Sequence, residues 1–246
     1  SAGQHGGTVS ASRLDSADFA LRGFSAAWSL DNRVELSVAR QELDISAFAP
    51  LDGETLRSNS YGIKLRLAGD ILYTSLPQIA VGVVYRETIN PALAALGGVS
   101  VPTALGARDD HGADVYLAFT KVFLGGPFGR NWLVNTVARS TRANQGGLLG
   151  FGGDLDKGRS LVGEASLGVL LTRHWLLGAE YRQHPDNLSA FSQDDWMDAF
   201  VVWFPNKRWS LTAAWVNLGE LSTPAIPYRN DHRDQHGAFM SLTGAF

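Results

Sequence analysis

The chain contains no cysteine. That excludes a disulfide framework and thiolate chemistry, and it suits an oxidising periplasm or cell surface. It has no segment near the ~18 uninterrupted apolar residues that a transmembrane helix needs. It has little excess of either charge, a formal net of -3, so nothing points to a polyanionic partner. No basic-aromatic surface for nucleic acid and no internal repeat is visible. The opening Ser1-Ala2-Gly3-Gln4-His5 has no basic start or apolar stretch, and reads as a mature start with any signal peptide removed.

What is present is glycine and large aromatics: 27 glycines, 12 phenylalanines and 7 tryptophans. Mean hydropathy is -0.05, which suits a soluble protein. It equally suits a membrane barrel, in which lipid-facing and lumen-facing residues alternate and average out. The alternation is explicit. Tyr61, Ile63, Leu65 and Leu67 share one face, and Ser60, Gly62, Lys64 and Arg66 the other. Trp175, Leu177, Ala179 and Tyr181 oppose Gly178, Glu180 and Arg182. Near the end, Ala238, Met240, Leu242, Gly244 and Phe246 alternate with the polar Ser241 and Thr243. A period of two marks strands, though a soluble sandwich also alternates.

The connections discriminate between the two. Counting back from Phe246, long links at 221–234, 184–195, 142–158, 90–112 and 44–57 take turns with shorter ones. The shorter ones lie at 205–208, 172–174, 125–131, 70–77 and Asp31-Asn32. Long loops on one side and short turns on the other are the sidedness of an outer-membrane barrel. Eleven clear strands and a weaker first strand near 4–13 give twelve. The expected fold is all-β: a transmembrane, antiparallel, up-and-down β-barrel, one domain over residues 1–246, with both termini periplasmic. Trp28, Tyr73, Phe128, Trp132, Trp175, Trp203, Phe204, Trp209 and Phe246 fall at or beside short turns or the terminus. They are expected to form a headgroup girdle, with Lys121 snorkelling nearby. A terminal aromatic on such a strand, Phe246, is the expected signal to the barrel-assembly machinery.

If the apolar faces meet lipid, the opposite faces line the lumen. Arg33, Glu35, Lys64, Arg66, Arg86, Asp114, Arg139, Glu164, Glu180, Arg182 and Asp198 are the expected lumen residues, since a charge on the lipid face at mid-bilayer costs ~2–4 kcal/mol. Two arrangements suit them. One is a polar pore with an Arg/Lys sector opposite an acidic one. The other is a cross-lumen salt-bridge network that fills a narrow barrel.

Enzymatic signals are thin. None of the six histidines is followed two residues later by serine, the pairing of barrel lipases and deacylases, in which histidine is the base. Asp109-Asp110-His111, Asp194-Asp195 and Asp231-His232 fall on the long-loop side, where barrel proteases keep Asp–Asp and Asp–His pairs. Asp154-Leu155-Asp156-Lys157-Gly158 imitates the start of a calcium loop but lacks the next alternate carboxylate and a distal glutamate. Asp109, Asp110, His111, Asp154 and Asp156 are the weak metal candidates; no metal or other cofactor is expected. In the glycine-rich 146–153 segment, Leu148, Leu149 and Phe151 are apolar. They fold inward as a plug, lie on lipopolysaccharide, or meet an envelope partner, as does the apolar stretch 91–96.

Several strings carry a resemblance. They are Leu105-Gly106-Ala107-Arg108-Asp109-Asp110, Arg142-Ala143-Asn144-Gln145, Leu149-Gly150-Phe151-Gly152-Gly153-Asp154, Gly178-Ala179-Glu180-Tyr181-Arg182, Pro185-Asp186-Asn187-Leu188 and Asp194-Asp195-Trp196. Over nearly its whole length the chain resembles a proteobacterial family catalogued as a domain of unknown function, with the look of exported outer-membrane proteins. The resemblance implies a barrel in the outer membrane, in contact with lipid and lipopolysaccharide. It brings no activity or catalytic residue. It also implies a further glycine-rich apolar segment ahead of Ser1, a strand or plug beyond the twelve.

Three functions follow as expectations. The first is a narrow porin-like channel for passive diffusion of small polar or amphipathic solutes. The second is a non-conducting barrel that docks an envelope protein. The third is a surface hydrolase built on loop residues such as Asp110 and His232.

Overall fold

The computed structural model describes residues 5–16, 18–45, 54–90, 92–93, 96–190, 193–220 and 234–246. Twelve strands run β1 His5–Ser16, β2 Ala20–Leu30, β3 Val34–Asp44, β4 Thr55–Ala68, β5 Gln78–Ile89, β6 His111–Phe123, β7 Asn131–Thr141, β8 Ser160–Thr172, β9 Trp175–Arg182, β10 Trp196–Trp203, β11 Trp209–Glu220 and β12 Asp234–Ala245. Each pairs antiparallel with its neighbours in sequence, and β1 pairs with β12 to close the barrel. A short helix, α1 (Val101–Ala104), lies in the link between β5 and β6.

The first strand is longer than its hydropathy suggests. It reaches Ser16, in register with β12 from Thr8↔Ala245 to Ser16↔Gly237. Its inward residues include Ser10 and Ser12, so small hydroxyls alternate with small or mixed neighbours and leave little contrast. Ser10 meets Ser25 of β2 across the wall, at 2.6 Å.

Shorter links gather at the end that carries both termini, at 31–33, 69–77, 124–130, 173–174 and 204–208; this is the terminal end. The links at 45–54, 90–110, 142–159, 183–195 and 221–233 share the opposite, loop end. One link breaks the rule: 17–19 joins β1 to β2 at the loop end with three residues. At the terminal end Asp31 and Asn32 both take left-handed φ, 50° and 52°. Asp and Asn tolerate that conformation, and it matches the twist of a tight hairpin.

Alternation puts an apolar band outside. Leu36, Val38, Ile63, Leu65, Leu67, Leu167, Leu177, Met240 and Leu242 are exposed on the outer wall, as a lipid-facing surface requires. Below it, at the terminal end, Trp28, Tyr73, Phe128, Trp175, Trp203, Trp209 and Phe246 are exposed. Lys121 projects outward there, and its Nζ reaches the backbone carbonyls of Asp70 and Thr74. The barrel is sealed by Phe246: its N–H donates to Gly7 O (3.0 Å) and its carbonyl accepts from Gly7 N (2.8 Å). The Phe246 ring lies directly over Gly7, where a Cβ would come within 2.5 Å of it, and 5.8 Å from the Trp28 ring. Only glycine leaves room for that ring.

Candidate functional site

Adjacent antiparallel strands bring side chains on one face to within ~5 Å of each other. Inward charges on neighbouring strands therefore meet along the wall. Arg86 (β5) pairs with Asp114 (β6). Arg139 (β7) stands 3.8 Å from Asp114, an ion-pair distance too long for a hydrogen bond, and its Nε donates to Glu164 (β8) at 2.5 Å. Arg182 (β9) lies 3.7 Å from Glu164 and donates to Glu180 at 2.9 Å. Arg86, Asp114, Arg139, Glu164, Arg182 and Glu180 thus form a band of alternating sign across five strands. The Arg139 guanidinium also sits 5.0 Å from the Tyr116 ring centre. That ring occupies the space above Gly82, where a Cβ would fall 2.3 Å from it. Asp114 is the most enclosed member, its side chain 2% exposed.

This arrangement corrects two expectations. The lumen has no Arg/Lys sector facing an acidic one across its width; opposite charges neutralise each other on one side of the wall, because pairing in the sheet places them side by side. Arg33 is not on the wall. It belongs to the exposed 31–33 turn, because that turn takes three residues where two were expected. Lys64 and Glu35 form a separate pair at 3.3 Å. Arg66 turns to the terminal rim, donating to the Gly69 carbonyl and lying 3.3 Å from Asp70. Asp198 (β10) stands directly opposite Glu180 in register and has no hydrogen-bond or ion-pair partner among the described residues.

The rest of the wall is neutral. β11, β12, β1 and β2 turn Thr212, Ser241, Thr243, Ser10, Ser12 and Ser25 inward. Two cavities follow this side. One of about 680 Å³ opens at the terminal end between Thr8, Ser210, Thr243 and Phe204, with Arg173, His174, Lys207 and Arg208 of the turns at its rim. One of about 510 Å³ lies above it, bounded by Ser12, Thr212, Asp198, Arg182, Phe200 and Phe239. Ser210 and Thr212 are successive inward positions on β11, so the second cavity is stacked on the first.

At the loop end the lumen is apolar, which the sequence reading missed. Leu14, Leu56, Val216 and Leu218 are buried and point inward, on the same parity as serines lower on their strands. Alternation reports a face, and apolar residues on the inward parity were outweighed by the larger outer set. Against this collar fold the loops. Leu149, Val101, Leu105, Ala107 and Leu188 share a buried cluster with Phe19, Ile45 and Leu56. Leu148 and Leu149 line a small, almost wholly apolar pocket with Leu14, Leu21, Leu218 and Trp196. Of the three fates open to Leu148, Leu149 and Phe151, the structure takes the inward one. In the 91–96 stretch, Leu93 and Leu96 pack on this cluster, while residues 91, 94 and 95 lie outside the described residues.

Several polar groups of this plug are satisfied internally, while Gln145 Nε2 and Gln193 Nε2 are buried without a partner among the described residues. Asn144 Nδ2 donates to the Gly152 carbonyl (2.9 Å), Asn187 Nδ2 to Asn144 Oδ1 (2.9 Å) and Gln145 N to Gln193 Oε1 (2.9 Å). The Thr88 hydroxyl donates to the Gly147 carbonyl, seating the plug on β5. Phe151, completely buried, bridges Asp109 and Ala143 through its backbone.

Asp109, Asp110, Asp154 and Asp156 are each engaged. Asp109 pairs with Arg142 (2.7 Å) and Asp110 with His111 (2.7 Å). Asp154 accepts from Ser189 N (2.9 Å) and its hydroxyl, and Asp156 from Gly158 N (2.7 Å). Among the described residues no three His, Asp or Glu side chains come together as metal ligands would. Asp231 and His232 lie outside the described residues.

His184, in the 183–195 link, packs its ring 4.4 Å from that of Trp196, and its Nδ1 is buried without a partner. Burial first, then the Arg182 guanidinium, push its pKa down from 6.5 to about 4, against the pull of Asp195 and Glu164. The unfolded link takes up a proton near pH 6.5 and the folded one only near 4. Its docking is therefore strongest above pH 6.5 and weakens as pH falls toward 4, by at most roughly 3 kcal/mol. Amide protection factors over 183–190, corrected for intrinsic exchange, are expected to fall as pH drops from 7 to 5, and His184→Phe is expected to remove that fall.

Solved structures share this architecture. The chain is similar to the KdgM porin at 9% identity, with 97% of this chain and 99% of that one covered and a TM-score of 0.58. It is similar to the NanC porin at 6% identity, covering 96% and 98%, with a TM-score of 0.56. Against the Acinetobacter baumannii outer membrane protein Omp33 the values are 12% identity, 98% and 97% coverage and a TM-score of 0.52. At such identities the likeness establishes the fold alone, a closed antiparallel transmembrane β-barrel. No curated protein matches the chain. Its family profile does match, over residues 1–243, and the chain belongs to the family described as "Protein of unknown function (DUF3034)".

Proposed function

We propose that this barrel is a narrow outer-membrane channel for passive diffusion of small polar or amphipathic solutes, with both termini in the periplasm. The observation that carries the reading is the pair of stacked cavities, about 680 and 510 Å³, the lower rimmed by Arg173, Lys207 and Arg208 and the upper by Glu180, Arg182 and Asp198. A solute enters at the terminal end past Thr8 and Ser210 and rises past Thr212 and Ser12 to Asp198. The route avoids Arg86, which is paired and lies beneath Gly147 of the plug. The girdle at the terminal end supports the orientation: the short turns there suit the periplasmic side. The exposure of Phe246 at the β1–β12 junction supports its reading by the assembly machinery, and the outer apolar band supports contact with lipid and lipopolysaccharide.

Single-channel recording of the refolded barrel in a planar bilayer tests the proposal. Stable steps are expected, and Ala214→Trp, which fills the upper cavity, is expected to lower step height several-fold. Steps unaffected by this substitution would overturn the route, and silence from folded protein would overturn the channel. A second reading, a non-conducting barrel that docks an envelope protein, is favoured by the paired charge band and the apolar plug. Silence would leave that reading standing.

A further inference from the structure

The 510 Å³ cavity is built for a particular kind of solute. Successive inward positions of β10 present Trp196, Asp198 and Phe200, a carboxylate between two aromatic rings. All three line the cavity, joined from β12 by Phe239 and from β1 and β2 by Leu14 and Leu21. Its charges are Glu180, Asp198 and Arg182. Arg182 is already held by Glu180 at 2.9 Å and by Glu164 at 3.7 Å. Asp198 is left over, so the cavity carries an uncompensated carboxylate in otherwise mostly apolar surroundings.

An occupant must supply a positive charge and also cover apolar wall. A hydrated inorganic cation gains nothing from the leucines. An organic anion finds two carboxylates against one guanidinium, whose Nη2 is held by Glu180. An ammonium group satisfies Asp198 and lies against aromatic faces, which attract cations. Its apolar body has somewhere to go: the adjoining pocket shares Leu14, Leu21, Trp196 and Leu218 with the cavity and is almost free of polar surface. The volume falls within the ~300–1,000 Å³ of small-molecule sites.

We infer that the lumen holds a binding site for organic cations, an ammonium bearing one aromatic ring or a short alkyl body. The inference rests on the channel reading for its route of access, and it names the solute class that the channel would favour.

Phenethylammonium is the probe and phenylacetate its anionic counterpart. Titration calorimetry on the folded barrel in detergent, in mildly alkaline buffer, is expected to show saturable phenethylammonium binding and none of phenylacetate. Asp198→Asn, nearly isosteric, is expected to weaken binding about tenfold or more, with heat-modified gel mobility confirming the fold. Phe200→Leu is expected to weaken it several-fold with the carboxylate intact. Equal affinity in Asp198→Asn, or phenylacetate binding as tightly as the amine, would overturn the site. The same probe added to bilayer recordings separates the two readings. Saturable binding without conductance steps removes the channel and keeps the site. Steps without amine binding keep the channel and remove the site.

Discussion

Arg139→Ala is expected to destabilise the folded barrel by roughly 3–5 kcal/mol, the cost of stripping one partner from a buried ion pair. Arg139 is the centre of the charge band: it holds Glu164 at 2.5 Å and stands 3.8 Å from Asp114. The side chains of Asp114 and Glu164 are only 2% and 11% exposed, so water cannot replace the guanidinium. Removing it also strips the cation from the Tyr116 ring. Glu164→Gln in the same chain is expected to recover part of the loss, because the carboxylate that Arg139 holds at 2.5 Å goes with it while Arg182 keeps Glu180. Urea unfolding in lipid vesicles, followed by tryptophan fluorescence, reads the difference. A loss under about 1 kcal/mol, the value of an exposed pair, would mean that the band is solvated and does not tie the wall together.

The second large effect is expected at the plug. Phe151 is completely buried, packed on Gly112 of β6 so closely that a Cβ there would lie 2.4 Å from the ring. Phe151→Ala is expected to cost the plug roughly 3–5 kcal/mol, as other phenylalanine truncations in cores do. That loss falls on a segment held by a few hydrogen bonds and one apolar cluster, while the twelve-strand wall keeps its own ladder. The barrel is therefore expected to stay folded while the 142–153 segment comes loose. In a bilayer this appears as larger and noisier steps, and in hydrogen exchange as lost protection at Asn144, Leu149 and Phe151. Unchanged steps with a demonstrably loosened plug would show that this segment does not narrow the path.

The wall was legible in the sequence to the level of register parity. Tyr61, Ile63, Leu65 and Leu67 of β4 and Trp175, Leu177 and Tyr181 of β9 are exposed on the outer face, as alternation reads them. Alternation is a local property, fixed by the pleat, so one sequence suffices to see it. Three things escaped for physical reasons. The full length of β1 was hidden because its inward residues are serines, which differ little from their neighbours. The pairing of the charges was hidden because it depends on strand stagger, which no single strand contains. The apolar collar of Leu14, Leu21, Leu56 and Leu218 was hidden because those residues are explained only by loops distant in sequence. Leu148 and Leu149 were recognised as out of place among polar loop residues, but their destination depends on the collar they meet.

The junction of β1 with β12 has a consequence in time. Thr8 pairs with Ala245 and Gly7 with Phe246, so the first strand finds one of its two partners only when the final residues of the chain are present. Pairings of such long separation are slow to form, because closure of the loop between them costs entropy before the contact repays it. Until then β1 and β12 are open edges carrying Val9, Met240 and Leu242 toward the surroundings, the kind of edge that aggregates. Closure of β1 on β12 is therefore expected to be the slowest step of barrel formation.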